Sequence, residues 1–207
     1  MQIMTDIELF GDGRGKVIFQ LSAVAFDMDG RISDPHELIQ PDDMWFDAVV
    51  VGEAGRFPLP VAPSTIAWWA EEAQSPAREI LLRAAQDRPV VLADALLQFF
   101  RFCNLRLRKT GGHWANSPSF DLVLIRKLYE SIGQPAPWHF RQERDMRTLM
   151  VLIKKLGLTK LPNMKTVGLV PHVGLHDAAR QAVLVQAAYR VLGLNAGDHA
   201  RAARSTA

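Results

Sequence analysis

The chain has 207 residues, of which 48% are hydrophobic and 22% charged, a composition typical of a globular protein and a length that suits one domain with a sizeable core. Its 24 Lys and Arg stand against 22 Asp and Glu, and the formal charge of +2 is too small to announce a nucleic-acid binder by itself. One cysteine excludes an internal disulfide, the early acids do not suit a signal peptide, and no apolar run approaches membrane-spanning length, so a cytoplasmic, reducing setting without a membrane partner is expected.

The first predicted elements form a hairpin from Met4 to Asp27. An apolar strand interrupted by Asp6-Ile7-Glu8 leads through the glycine-rich turn Gly11 to Gly15 into a second apolar strand, Val17 to Phe26. Side chains alternate along a strand, so Asp6 and Glu8 project from one side and Ile7 from the other. Two like charges about 4 Å apart cost roughly 4 kcal/mol at an effective dielectric near 20, so the pair asks for a counter-cation. Hard divalent ions, Mg²⁺ or Mn²⁺, are the natural partners of such oxygen ligands. A lone Asp-x-Glu is still a weak motif, because acids at a strand end are often simply solvated.

A third strand is predicted from Trp45 to Val51, followed by helical regions from Ser64 to Gln86 and from Ala93 to Arg108. Trp68 and Trp69 point about 100° apart on the first helix, so at least one packs in the core and the other can line a substrate groove. Cys103 lies in the apolar run Leu96 to Leu107 and reads as a buried structural thiol. A short strand over His113 to Asn116 precedes a helix that starts near Ser119 and carries Asp121 in its first turn, with Leu122, Leu124, Ile125 and Leu128 as its apolar face. An acid in that position also complements the helix dipole.

Met146, Leu149, Met150 and Ile153 form a core stripe on a helix from Met146 to Leu156. Arg144, Asp145 and Arg147 at its start read as an ion-pair network, with shaping of the site as the alternative. Near the end His172 precedes Asp177 by five residues, and Asp177 opens an Ala-rich helix that ends near Leu194. That spacing lets the acid bind a metal while the histidine, on the loop feeding the helix, takes a proton from water near neutral pH. His176 competes in sequence but points in another direction. The small, polar tail Asn195 to Ala207 is expected to fray, leaving one domain over residues 1–194.

With these three segments in order, the chain resembles the DEDDh 3'-5' exonuclease superfamily, which includes proofreading exonucleases, oligoribonuclease and ribonuclease T. That superfamily carries Asp-x-Glu on its first strand, an Asp on a middle helix and His-x-x-x-x-Asp in its last motif, matched here by Asp6 and Glu8, by Asp121, and by His172 with Asp177. A closer resemblance is to a small bacterial and phage branch described as 3'-5' exoribonuclease-like. It is carried by Ile18 to Asp27, Thr65 to Trp69, Trp114-Ala115-Asn116 leading to Phe120-Asp121, and Pro137-Trp138 followed by Arg144 to Thr148, and it spans Met4 to about Tyr189. The chain departs from the pattern at Leu9, where many relatives have Thr, at Ser22 for Gly and at Gly174 for Ala. None of these removes a ligand.

The resemblance implies an α/β, ribonuclease H-like fold with a mixed central sheet flanked by helices. It implies that Asp6, Glu8, Asp121 and Asp177 hold two divalent ions, Mg²⁺ or Mn²⁺, with His172 as general base. The implied activity releases 5'-mononucleotides from the 3' end of single-stranded or overhanging nucleic acid, RNA slightly favoured over DNA, and a homodimer is compatible with it. Leu9, Phe10, Asn116 and Trp69 are the candidates for gripping the terminal sugar and base, since an aromatic face stacks on any base. Arg101, Arg106, Arg108 and Lys109 form one basic stretch and Lys154, Lys155, Lys160 and Lys165 another, and either can meet backbone phosphates or be a solvated helix end. The alternatives are a non-catalytic nucleic-acid-binding module on the same fold and a phosphodiesterase restricted to very short oligonucleotides.

Overall fold

Strand β1 (Gln2–Phe10) pairs antiparallel with β2 (Val17–Phe26), from Gln2 opposite Phe26 to Glu8 opposite Gln20. The computed structural model describes residues 1–10, 17–29, 31–51, 62–71, 74–158 and 167–194. The turn Gly11 to Gly15, Lys160, Lys165 and the tail Asn195 to Ala207 lie outside the described residues. After a short helix α1 (Pro35–Leu38), β3 (Trp45–Val51) adds antiparallel to β2. Helices α2 (Pro63–Ala70) and α3 (Ser75–Asp87) lead to a two-residue strand β4 (Val90–Val91), parallel to β3, and then to α4 (Leu92–Arg106). Strand β5 (His113–Ala115) runs parallel to β1 on its other side and is followed by α5 (Asp121–Ser131). Finally β6 (Glu143–Asp145) lies parallel to β5 and feeds α6 (Met146–Lys155), and α7 (Gly174–Val191) closes the described fold.

The sheet order β4-β3-β2-β1-β5-β6 puts β1 and β2 in the middle, covered on both faces. Alternation along them separates two layers. Ile3, Ile7, Leu21, Ala23 and Ala25 face α4 and α5, whose Leu96, Phe99, Phe102, Cys103, Leu122 and Ile125 recur at helical spacing and are buried. Met4, Val24, Phe26 and Trp114 face the other way, against Met146, Leu149 and Ile153 of α6 and a row of alanines on α7. Small side chains at Ala178, Ala179 and Ala182 let α7 lie close to the sheet, and each large aliphatic side chain buried beneath it contributes about 1.5 to 3 kcal/mol. The fold is the mixed, helix-flanked α/β sheet expected, and Cys103 is fully buried.

The predicted helix from Ser64 to Gln86 is two helices. Pro76 has no N–H to continue a ladder and sits in the first turn of α3, and Glu71 at the end of α2 is already extended, with φ −62° and ψ 147°. Helix α7 begins three residues before Asp177, at Gly174.

Candidate active site

Asp6 and Glu8 stand on the α7 side of β1, opposite Ser22 and Gln20 of β2. Just beyond them the register slips: Leu9 pairs with Ile18, which leaves Phe19 as an extra, bulged residue. Phe19 stacks on Phe10 at 4.3 Å and meets Trp69 edge-on at 5.1 Å. The hydrophobic cluster beside the acids therefore starts at an irregularity of the central hairpin.

The third acid comes from the parallel side. Ala115 pairs with Thr5, so β5 leaves the sheet beside Asp6, and the chain turns through Asn116 and Ser117 into α5. Asp121, the first residue of α5 and only 6% exposed, accepts a hydrogen bond from the Ser117 backbone N–H at 3.2 Å. Asp6, Asn116, Ser117, Phe120, Asp121 and Arg147 line a cavity of about 260 Å³.

The fourth acid and the histidine come with α7. Gly174 N–H donates to Gln20 Oε1 at 2.8 Å, and Gln20 and Ser22 both donate to Asp47 on β3, at 2.8 and 2.5 Å. This polar set pins the start of α7 to the sheet and so delivers Asp177, in its first turn, to the acids of β1. One Asp177 oxygen accepts from the His172 backbone N–H at 2.8 Å, and the other from Arg180 at 3.0 Å. His172 holds φ at +63°, the only positive φ of a non-glycine among the described residues, a strained conformation of the kind that clusters at functional sites. Its ring meets Trp68 edge-on at 4.8 Å. His176 is committed elsewhere, accepting from the Val170 N–H at 3.0 Å.

Glu8, His172 and Asp177 each bring one ligand atom within 4.8 Å of the others. The remaining acids lie in the same electrostatic neighbourhood. Burial, and then the charges of Glu8, Asp121 and Asp177, hold the Asp6 carboxyl well above the usual carboxylate range, although Gln181 Nε2 donates to it at 2.9 Å. Burial together with Asp177 and Asp121 pushes Glu8 up to about 8. Asp6 and Glu8, so destabilised as anions, suit a bound divalent cation, because their oxygens are hard donors. Beside Asp6, Gln181 Oε1 is buried without a protein partner.

The substrate candidates are placed unequally. Asn116 lines the cavity with Asp6 and Asp121. Phe10 is packed against Phe19 and Trp69. Leu9 packs its side chain into the α4 and α5 layer, across the sheet from Glu8, which leaves its backbone for any contact with substrate. Trp69 is 6% exposed and wedged behind Trp68, so Trp68 is the member of the pair with open surface against His172. The basic stretch Arg101 to Lys109 belongs to α4 and the turn after it, on the sheet face opposite the acids, where Arg106 pairs with Asp43. Arg144, Asp145 and Arg147 form no network with one another. Asp145 caps α6 by accepting from Thr148, and Arg144 donates to the Arg141 and Glu143 carbonyls.

Sequence reasoning missed Gln181. It comes four residues after Asp177, one helical turn along the same face, and that spacing is the signal that points to it.

The chain belongs to the Rv2179c-like family of 3'-5' exoribonuclease domains, whose model matches residues 1–189. It is thereby a 3'-5' exonuclease domain. A relative described as an exodeoxyribonuclease of Enterobacteria phage T4 is 22% identical over 204 residues, covering 89% of this chain and 87% of its own. Among solved structures, cell-death related nuclease 4 (CRN-4) superposes with a TM-score of 0.55 at 14% identity over 93% of this chain, which spans 64% of that chain. The nuclease domain of 3'hExo, described as a DEDDh family member bound to rAMP, gives a TM-score of 0.50 at 16% identity, covering 87% of this chain and 88% of that one. At such identities the two structures show a shared fold.

Proposed function

We propose that this exonuclease releases 5'-mononucleotides from the 3' end of single-stranded or overhanging nucleic acid, with RNA favoured over DNA. The observation that carries the reading is the convergence of four acids and one half-buried histidine from β1, α5, α7 and the loop before α7. Asp6, Glu8, Asp121 and Asp177 are the residues that would hold two divalent ions, Mg²⁺ or Mn²⁺. When bound, these ions supply charge neutralisation and Lewis acidity toward phosphoryl oxygens.

The chain supplies the rest. His172 takes the proton of the attacking water as the bond forms to phosphorus and the bond to the upstream 3' oxygen breaks. Its backbone bond to Asp177 and the edge of Trp68 hold the imidazole in place. The aromatic cluster of Phe10, Phe19, Trp68 and Trp69 keeps this side of the site dry and gives the terminal nucleoside an apolar wall. The RNA preference rests on the family's description as exoribonuclease. The description of the phage T4 relative as an exodeoxyribonuclease supports DNA as the second reading.

The test incubates the purified protein with 5'-labelled single-stranded RNA and DNA, in Mg²⁺, in Mn²⁺ and in chelator. The expected result is a metal-dependent ladder of 3'-shortened products that grows faster on RNA. Faster shortening of DNA would transfer the preference to the second reading, and intact substrate under every condition would overturn the proposal.

A further inference from the structure

We infer that the cavity lined by Asp6 and Asp121 receives the strand upstream of the bond that is cut, and that Arg147 holds the first phosphate of that strand. The inference rests on the exonuclease reading and adds a direction to it. The acid cluster has two unlike ends. At one, His172, grouped with Glu8 and Asp177, meets the rings of Trp68 and Trp69, and the cation there, Arg180, is already paired with Asp177. Among the described residues this end offers an apolar wall and no unpaired cation, which suits one nucleoside, with no charge beyond the phosphate under attack.

At the other end the cavity of about 260 Å³ is walled by Asn116, Ser117, Phe120 and Arg147. Arg147 is exposed in the first turn of α6, and its backbone N–H donates to the Asn116 carbonyl at 3.3 Å, which ties that turn to the end of β5. Among the described residues no carboxylate pairs with its guanidinium. Asp145, two residues earlier, is taken by the Thr148 N–H and hydroxyl, and Asp6 accepts from Gln181. Every nucleotide upstream of the terminal one brings a further phosphate, so the strand must leave by the end that offers a cation. A guanidinium forks onto two phosphate oxygens, and a charge-assisted pair of this kind outweighs a neutral hydrogen bond about twofold.

The experiment compares wild type with Arg147→Ala and Arg147→Lys on two substrates. One is a single-stranded oligonucleotide. The other is the p-nitrophenyl ester of thymidine 5'-monophosphate, which has a terminal nucleoside and a cleavable phosphate but no upstream strand. The ratio of kcat/KM for oligonucleotide over ester should fall about tenfold to a hundredfold in Arg147→Ala, through KM on the oligonucleotide, and less in Arg147→Lys. The slope of log affinity for oligonucleotide against log salt should shrink by about 0.7. An unchanged ratio, whether both substrates suffer equally or neither does, would overturn the inference while leaving the exonuclease reading intact. A wild-type protein that cleaves neither substrate would overturn both.

Discussion

A Cβ added to Gly174 would stand 2.8 Å from the Ser22 hydroxyl oxygen and 3.2 Å from Gln20 Oε1. The first residue of α7 thus sits on the hydroxyl that donates to Asp47, and the chain's Ser at one position and Gly at the other are two halves of one fit. A methyl group at 174 has to displace the Ser22 hydroxyl from Asp47 or lift the start of α7, and with it His172 and Asp177, away from Asp6 and Glu8.

Gly174→Ala is therefore expected to destabilise the protein by about 1 to 3 kcal/mol, since overpacking of that size exceeds the helix-propensity gain of at most about 1 kcal/mol. In a Ser22→Gly background the same change should cost less than it does alone. A double-mutant cycle on thermal unfolding checks this, and strict additivity would show that the two positions do not share space.

The acid cluster sets a pH dependence in metal-free protein. Glu8 keeps its proton up to about 8 in the folded chain against an ordinary value of 4.5, and Asp6 is raised likewise. The folded state therefore binds more protons than the unfolded one across that interval. This contribution to stability is complete below about pH 4.5 and is lost as pH rises through 8. In chelator, Tm should fall between pH 5 and pH 9 more steeply for wild type than for Glu8→Gln. Millimolar Mn²⁺ should raise Tm more at pH 8 than at pH 5, because its binding displaces protons. Parallel Tm profiles for wild type and Glu8→Gln would refute the assignment.

Much of this arrangement is legible before any coordinates. Alternation in β1 and β2 puts Asp6 and Glu8 on one face, and the helical spacing of Leu122, Ile125 and Leu128 or of Met146, Leu149 and Ile153 marks the faces that pack. Ser75-Pro76 marks the break between α2 and α3, but a continuous apolar period hides it. Strands of two and three residues, β4 and β6, are too short to show any period, and they exist because longer neighbours offer them an edge. Which of Trp68 and Trp69 turns inward depends on where α3 and the bulge at Phe19 place the cluster, a tertiary outcome no local pattern carries.

Gln181 is expected to act through Asp6. Removing its amide leaves a buried carboxylate one donor short, so Gln181→Ala should lower exonuclease activity about tenfold to a hundredfold, with part of the loss recovered at higher Mn²⁺. Gln181→Glu should be worse, because it adds another acid. An unaltered Mn²⁺ dependence in both variants would remove Gln181 from the site.

The Trp68 and His172 rings meet edge to face at 4.8 Å, a contact expected to orient the imidazole. Trp68→Ala should reduce kcat by about tenfold, with Trp68→Phe close to wild type, and Trp68→Ala should cost little further in a His172→Ala background. A change confined to KM would leave Trp68 as a wall for the nucleoside and remove its role in orienting the imidazole.

Asp6 lies where the charges of Glu8, Asp121 and Asp177 meet, and Asp6→Asn removes its charge at nearly constant shape. The measurement that bears most directly on the whole account is mononucleotide release from single-stranded RNA by this variant in Mn²⁺, read beside its Tm. A loss of about a hundredfold to a thousandfold with Tm equal to or above wild type is the predicted result, the mark of an acid kept for chemistry at a cost in stability. Release within a few fold of wild type would contradict the account.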